Sequence, residues 1–422
     1  MNASHYQDMI LKRSNSQELM LCVNNKPVMF PVRMPNQGER VIIDYINFVV
    51  DIYDITTKHD RNTPDYIGEL TQLDMNNELN DDERIVYIDY VAHDIGERLA
   101  YIFGDDIGDI FSDLHYTGKG LHSYKYCLHI GSSENPLGKV CFGGQNNTVF
   151  VMLSGIGCAL ACKGWEQNLY HFLSDCKKAN ITRIDLAHDD FNGSYSSVED
   201  ADEKESEGFF HLISHGTKPK VQQLGDWKYN LGDGRTLQVG KRQNGKMFRG
   251  YEKGRQLGDP ESLWFRAEVE LRNQGRIIPL DILINPTQYF TGFYPYTAKL
   301  IDDCLAFEQA QAKQDNQNQN NQQDHNAPQQ AVKAIRIPLI VKSGEISLKK
   351  SLDVWKRQIG RYIKFYRDFF QDDTLILNLL QTSKVHNHYP KRLSILEKFK
   401  SGEFLASLPS HQPLHATLGI TT

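Results

Sequence analysis

The stretch TLQVGKRQNGKMFRGYEKGRQLGDPESLWFRAEVELR, residues 236–272, joins a hairpin signal to an alternating strand. Asn244-Gly245 lies between two strand-like runs, which is typical of a β-hairpin. The last ten residues alternate between an apolar set and a mainly charged set: Leu263, Phe265, Ala267, Val269 and Leu271 against Trp264, Arg266, Glu268, Glu270 and Arg272. Because side chains along a strand point to alternate faces, this pattern predicts a sheet with one apolar and one charged face.

Within that stretch, RGYEKGRQ (residues 249–256) surrounds one tyrosine with cations. A buried structural tyrosine needs apolar neighbours and one hydrogen-bond partner, whereas Tyr251 has Arg249, Lys253 and Arg255 close by in sequence. Arg249, Tyr251 and Lys253 are expected on one face of the second hairpin strand. Such an arrangement favours a phosphate as the partner of this surface.

A second alternating stretch, ITRIDLAHDDF (residues 181–191), places Ile184 and Leu186 on one face and Asp185 and Asp189 on the other. If the charged faces of the two strands converge, carboxylates lie near Tyr251, and these groups suit metal-assisted attack on a phosphodiester. Residues four apart on a straight strand are roughly 13 Å apart, so Asp185 and Asp189 are not expected to share one ion.

Further carboxylates remain candidates for the same ion, namely Glu268, Glu270 and Asp44. The alternative interpretation is structural: Glu268 and Glu270 form cross-strand ion pairs with arginines on a solvated face. Alternation alone favours that interpretation.

The amino-acid composition argues against a membrane protein and against a protein stabilised by disulfides or zinc. The chain has 422 residues, 40% of them hydrophobic, and a net charge of −6. It contains no apolar run of about 18 residues and no apolar stretch near its start, so we expect a cytoplasmic protein without a membrane partner. Its seven cysteines form no CxxC pair, which favours reduced thiols over disulfides or zinc.

Charge is distributed in blocks along the chain. Residues 74–113 carry twelve acidic residues against two arginines, residues 218–255 ten basic against three acidic, and residues 333–400 fifteen basic against six acidic. Two basic blocks that are rich in aromatic residues favour a polyanionic partner.

Three regions follow from composition and periodicity. Residues 1–305 form the main α+β domain, with an acidic insertion at about 55–113. Residues 306–334 are rich in Gln and Asn and are expected to be a flexible linker. Residues 335–422 are predicted to be a small, basic, mainly helical domain, because SLDVWKRQIGRYIKFYRDFF (residues 351–370) spaces its apolar residues as an amphipathic helix does.

The stretches RIDLAHDDF, LSGIGC and, above all, LGDGRTLQVGKRQNGKMFRGYEKGRQLGDPESLWFRAEVELRN resemble the replication initiation factor family. That family comprises rolling-circle initiators of staphylococcal plasmids and filamentous phages, with related relaxases of conjugative transposons. The resemblance covers roughly residues 40–300. It implies an enzyme of the bacterial cytoplasm that nicks one strand at a replication origin through a tyrosine, which stays joined to the 5′ phosphate. It also implies an α+β, HUH-endonuclease-like fold with an antiparallel sheet and flanking helices, although this chain has no His-hydrophobic-His triplet.

The resemblance assigns the nicking tyrosine to Tyr251, the acidic strand to Asp185 and Asp189, and the following glutamate to Glu268. Glu268 with Asp185 or Asp189 would hold Mg²⁺ or Mn²⁺, and Arg249 and Lys253 would contact the scissile phosphate. The basic residues predicted to contact DNA are Lys241, Arg242, Lys246 and Arg255. Expected partners are origin DNA, a host helicase and a DNA polymerase, with homodimerisation as a further option.

Two other functions remain open. A conjugative relaxase would use the same chemistry for transfer of DNA. A non-catalytic DNA-binding regulator would keep the fold and the basic faces without cutting, and the presence of both Tyr251 and the acidic strands argues against it. A tyrosine recombinase is disfavoured, because no cationic Arg and His arrangement precedes a C-terminal tyrosine.

Overall fold

The chain divides into two compact units, residues 1–338 and residues 339–422. This computed structural model describes residues 3–56, 66–105, 109–211, 218–229, 231–318, 332–337 and 360–371. Within the described residues, none of the helices combines the length and the apolar content needed to cross a bilayer.

The first unit is built on a ten-stranded antiparallel sheet with the strand order β4-β5-β6-β7-β3-β8-β12-β11-β10-β9. A separate two-stranded sheet is formed by β1 and β2. The strands are β1 (Ser16–Val23), β2 (Lys26–Arg33), β3 (Ile42–Asp51), β4 (Leu114–Tyr116), β5 (Tyr126–Ile130), β6 (Gly138–Phe142), β7 (Thr148–Leu153), β8 (Ala179–Asp190), β9 (Val221–Gly225), β10 (Arg235–Lys241), β11 (Lys246–Glu252) and β12 (Phe265–Arg272).

Helices flank this sheet, so the α+β class with an antiparallel sheet is confirmed. They are α1 (Ala3–Arg13), α2 (Ile52–Ile55), α3 (Tyr66–Asn76), α4 (Asp81–Phe103), α5 (Gly155–Leu160), α6 (Trp165–Asp175), α7 (Val198–Ser206), α8 (Lys253–Gln256), α9 (Pro286–Thr291) and α10 (Pro295–Asn318). One apolar core contains Val91 and Leu99 of α4, Leu169 of α6 and the sheet residues Val151 and Val269. Helices α4 and α6 therefore cover the apolar face of the sheet, and the charged side chains of β8, β11 and β12 lie on the opposite face.

The acidic segment folds as α3 and α4 and contributes to this core. Asn80 begins α4 with a capping box, in which its side chain accepts from the Glu83 amide and the Glu83 side chain accepts from the Asn80 amide. Three acidic residues in the first turn of α4 are favourable near the positive end of the helix dipole. Tyr87 and Val91 are fully buried, so the helix is acidic on its surface and apolar toward the sheet.

The hairpin predicted at Asn244-Gly245 is present. β10 and β11 pair antiparallel from Thr236↔Tyr251 to Lys241↔Lys246, which leaves residues 242–245 as the loop. Gly245 has φ +69°, a left-handed conformation that favours glycine.

The alternation predicted for residues 263–272 needs two corrections. The strand begins at Phe265, and Leu263 is 67% exposed while Trp264 is buried. The charged face is also buried, since Arg266, Glu268 and Glu270 are each at most 8% exposed. Ion pairs with neighbouring strands make this burial possible, so the idea of a solvated charged face is wrong.

The hairpin formed by β1 and β2 packs against the end of this charged face. Leu21 and Val32 form a small core with Trp264. The Cys22 amide donates to Asp259 Oδ2 at 2.8 Å, and Arg33 forms an ion pair with Glu166. A two-stranded hairpin is marginally stable alone, so these contacts hold it in place.

Two observations bear on the predicted linker and C-terminal region. Helix α10 continues to Asn318, so the first part of the segment expected to be a flexible linker is helical. In the second unit, helix α11 (Gly360–Phe370) occupies part of the predicted amphipathic helix. The rest of that helix and most of the predicted C-terminal domain lie outside the described residues, so the domain boundaries stay a prediction.

Candidate active site

Tyr251 lies near the end of β11, on the charged face of the sheet. It is directly opposite Arg266 of β12, and its hydroxyl donates to Glu268 Oε2 at 3.2 Å. Burial raises the pKa of this phenol above its usual value; Arg266 lowers it, and Glu268, Asp44 and Asp189 raise it. The hydroxyl is therefore protonated at neutral pH, and ionisation requires a proton acceptor and added positive charge.

Glu268 is positioned to be that acceptor. Register places it opposite Ala187 of β8, between Asp185 and Asp189. Its Oε1 accepts from Arg249 NH2, while its Oε2 faces the Tyr251 hydroxyl. The two oxygens of one carboxylate thus engage the predicted nucleophile and a predicted phosphate-binding cation.

Asp185 lies on the same side of Arg249. Its Oδ2 is 3.7 Å from Arg249 NH2, and it also accepts from Arg183 at 2.5 and 2.8 Å. Burial, together with the nearby charges of Glu268 and Glu270, raises the pKa of Asp185 to about 7, against the opposing effect of Arg183. Asp185 and Glu268 therefore form a close acidic pair.

Asp189 belongs to a different part of the network. Arg266 Nε and NH2 donate to its two oxygens at 2.7 and 2.8 Å, and Trp264 Nε1 donates to Oδ1 at 2.6 Å. Arg266 NH1 also donates to Asp44 Oδ1 at 3.2 Å. Arg266 thus links two carboxylates from β8 and β3 next to Tyr251.

The sequence interpretation gave Arg266 no catalytic role and considered it only as a cross-strand ion-pair partner in the structural alternative. Alternation placed it on the charged face, but its position opposite Tyr251 depends on how β11 and β12 pair. Twelve residues, 253–264, separate those strands, so local patterns do not specify the register.

Lys253 lies at the start of α8, one residue past the end of β11, so the expectation that it shares a strand face with Arg249 and Tyr251 is wrong. Its Nζ is 5.8 Å from the centroid of the Tyr251 ring and donates to Gln256 Oε1 at 3.2 Å. Burial and the neighbouring Arg266 lower the pKa of this ammonium group, while Asp44, Asp189 and Glu268 raise it. Lys253 is therefore a stronger proton donor than an exposed lysine.

Glu270 lies farther along the same face among three arginines. It accepts from Arg242 Nε at 3.1 Å and from Arg272 Nε at 2.6 Å, and Arg183 NH2 is 3.2 Å away. Because three arginines surround the Glu270 carboxylate, it is less available to bind a metal ion than the Glu268 carboxylate, which contacts Arg249.

The predicted metal ion would need carboxylates from this face of the sheet. Within the part of the chain that the structure describes, no three carboxylate, His or Cys side chains form a protein-only metal cage. Mg²⁺ often uses one or two carboxylates together with waters and substrate phosphates. Glu268 and Asp185, which both contact Arg249 NH2, meet that requirement. An arginine engages both oxygens of Asp185 and of Asp189 alike, Arg183 in the first case and Arg266 in the second. Asp185 is the better partner because it shares Arg249 with Glu268.

The residues predicted to contact DNA differ in availability. Lys241 is exposed at the end of β10, and the Arg242 side chain is 54% exposed in the hairpin loop. Arg255 lies on α8, with Nε 3.7 Å from Glu252 Oε1. Lys246 instead donates to the Phe293 carbonyl, and its Nζ is 3.8 Å from the Tyr294 ring centroid, so protein groups hold its ammonium group.

The chain is similar to a known family and to a solved structure. Residues 179–380 match the family model described as replication initiation factor, which confirms the resemblance for a little under half of the chain. The match begins later and ends farther along than the residues 40–300 that we expected, and it extends through the Gln/Asn-rich segment.

The solved structure of a rolling circle replication initiator protein from Geobacillus stearothermophilus is similar over 63% of this chain and 84% of that chain, with 18% identity and a TM-score of 0.38. No curated protein matches the chain.

Proposed function

We propose that this chain initiates rolling-circle DNA replication by nicking one strand of an origin and remaining joined to its 5′ phosphate through Tyr251. The observation that carries the proposal is the Tyr251 hydroxyl bonded to Glu268 and surrounded by Arg249, Lys253 and Arg266. These groups lie inside the segment that matches the replication initiation factor model.

The reaction is an in-line displacement at phosphorus. The Tyr251 oxygen forms a bond to phosphorus while the bond from phosphorus to the 3′ oxygen breaks. Glu268 Oε2 takes the phenolic proton, because it already accepts a hydrogen bond from that hydroxyl. Lys253, whose pKa is lowered mainly by burial, gives a proton to the departing 3′ oxygen. The freed 3′ hydroxyl then primes synthesis.

Cationic side chains stabilise the charge that develops. Arg266 is opposite Tyr251 and lowers the pKa of its phenol. Arg249 is within reach of the same centre and can bind a non-bridging phosphate oxygen as a fork. Mg²⁺ or Mn²⁺, held by Glu268 and Asp185, would supply further polarisation of the phosphate.

The direct test replaces Tyr251 with Phe and assays covalent attachment to DNA. Tyr251→Phe removes only the hydroxyl, so cleavage of single-stranded or supercoiled origin DNA should disappear while binding stays within about twofold. The measurement is a denaturing gel that detects a protein–DNA adduct. Tyr229→Phe, at an exposed tyrosine, is the matched control and should form the adduct normally. An adduct formed by Tyr251→Phe would show that another tyrosine is the nucleophile.

A further inference from the structure

A cavity of about 200 Å³ lies between the β1–β2 hairpin and two neighbours of Tyr251, namely Lys253 and Arg266. Lys253 and Arg266 line the part of it nearest the tyrosine. The remaining walls come from β2, from α5, from Ile42 and Asp44 of β3, and from Leu257 and Trp264. A phosphate bound at Tyr251 would therefore have this cavity as its immediate neighbour.

The walls are mainly apolar and are held firmly. Phe30, Val32, Leu257 and Trp264 line the cavity. Trp264 is fixed because its Nε1 donates to Asp189 and its ring packs on Phe191 at 5.1 Å between centroids. Enzymes that act on single strands receive unstacked bases between apolar and aromatic side chains, so these walls suit a nucleobase.

Asp44 is the acidic residue of the lining, beside the cations Arg33, Lys253 and Arg266, and it sets which base the cavity would prefer. Arg33 is already bonded to Glu166 and to the Ile43 carbonyl. Asp44 Oδ1 accepts from Arg266, and the Asp44 side chain is 27% exposed. Among the described residues, no group donates to its Oδ2. An ionised carboxylate only accepts hydrogen bonds, so it favours a base that donates.

We propose that this cavity receives the base of one nucleotide adjoining the scissile phosphate, and that Asp44 selects a base with an exocyclic amino group over thymine. Adenine, cytosine and guanine each present such an amino group, whereas thymine presents carbonyl oxygens on both sides of its one N–H group. The inference rests on the nicking function proposed above. It gives the N-terminal hairpin, which lies outside the family match, a part in choosing the nick site.

The experiment uses the full-length protein and circular single-stranded DNA that carries a randomised segment. Nicking opens a circle into a linear strand attached to the protein, so both flanks of the nick remain in one molecule. Sequencing of the attached strands should show that thymine at one position next to the nick is about tenfold less frequent than in the starting DNA.

Asp44→Asn provides the decisive comparison. The amide Nδ2 can donate to a thymine carbonyl, so this variant should lose the depletion of thymine at that position and keep all other preferences. Asp233→Asn, at an exposed carboxylate outside the cavity, should leave the whole pattern unchanged. A loss of metal binding in Asp44→Asn would lower cleavage of all sequences equally and would not alter the ratio between bases.

A second variant tests the cavity independently of charge. Ala159→Leu fills it from α5 and should raise KM about tenfold for intact strands, with a smaller effect on a strand that is abasic at the selected position. The inference is overturned if the wild-type protein shows no base preference beside the nick, or if Asp44→Asn keeps it. Absence of any attached strand with the wild-type protein would instead overturn the nicking function itself.

Discussion

Glu268 contacts both Tyr251 and Arg249, so it connects the predicted nucleophile to a predicted phosphate-binding cation, and it is also one of the two predicted metal ligands. Glu268→Gln keeps the shape of the side chain and removes its charge. We expect nicking to fall on the order of 10²-fold, because both proton acceptance and metal binding weaken, and Mn²⁺ should restore part of it. Rates are measured with a labelled origin oligonucleotide at several metal concentrations.

Glu261→Gln, at an exposed glutamate in the loop before β12, is the control and should nick normally. Full activity of the wild-type protein in EDTA would contradict the metal requirement, whatever the behaviour of Glu268→Gln.

Lys246 gives a pH dependence of stability whose sign follows from its burial. Burial, together with Arg276 and Arg336, lowers its pKa to about 7, whereas an unfolded lysine has a pKa near 10.5. Between these values the unfolded chain binds a proton that the folded chain has released. Lys246 therefore makes the free energy of unfolding rise as the pH increases from about 7 to about 10, by no more than about 5 kcal/mol.

Lys246→Met removes this contribution, so its free energy of unfolding should gain less than that of the wild type between pH 7 and pH 9.5. Urea denaturation at the two pH values measures the difference. Lys241→Met is the matched control, since Lys241 is the exposed cross-strand partner of Lys246, and it should keep the wild-type slope. Equal slopes for all three proteins would show that Lys246 is charged in the folded state.

At the level of elements, the β1–β2 hairpin depends on tertiary contacts rather than on its own strand pairing. Leu21 is 3% exposed and packs with Val32 against Trp264. Leu21→Ala should raise hydrogen exchange across residues 16–33 because it weakens the attachment, at a cost of about 2–5 kcal/mol to the local opening free energy. Exchange in β8 and β12 should stay unchanged.

Met20→Ala, at a 66% exposed position on the same strand, should leave hairpin exchange as in the wild type. If Leu21→Ala speeds exchange in the central strands to the same extent, the hairpin unfolds together with the sheet rather than separately.

Strand alternation was sufficient to predict β8, β11 and β12 and the charged face on which Tyr251, Asp185 and Glu268 lie. It did not predict that this face is buried, because burial depends on ion pairs between strands such as Arg266–Asp189. The proximity of Asp44 to Arg266 was not predictable either, since β3 and β12 both pair with β8 through long-range contacts. Local pattern therefore located the chemical groups, and tertiary pairing determined which of them meet.

At the scale of the whole molecule, the matched segment begins with β8, yet the sheet places earlier strands beside it. β3 precedes the match and pairs with β8, and it carries Asp44 to the site. Residues that precede the matched segment thus contribute side chains to the site around Tyr251. A fragment limited to residues 179–380 would lack β3, the hairpin and much of the apolar core.

The position at which the C-terminal region can be removed also follows from the structure. Ending the chain near residue 309, as the predicted linker suggests, would cut α10 and remove residues 332–337. The Ile335 amide donates to the Gln288 carbonyl at 2.9 Å, and Val332, Ile335 and Ile337 pack on the core of the first unit. A truncation after residue 338 keeps these contacts and removes the second unit alone.

We expect this truncated chain to form the Tyr251 adduct on a short single-stranded nick site, because all the proposed catalytic residues precede residue 338. It should bind a duplex origin fragment more weakly and with a flatter salt dependence, since each lost phosphate contact lowers the slope of log K against log salt by about 0.9.

A full-length variant with Arg361, Lys364 and Arg367 changed to Gln, all on α11, removes charge while keeping the second unit. Like the truncation, this variant should bind the duplex origin fragment more weakly and with a flatter salt dependence than the wild type, but both changes should be smaller. Identical affinity and slope for all three proteins would show that the basic C-terminal block touches no DNA and that its amphipathic helix serves as a docking element instead.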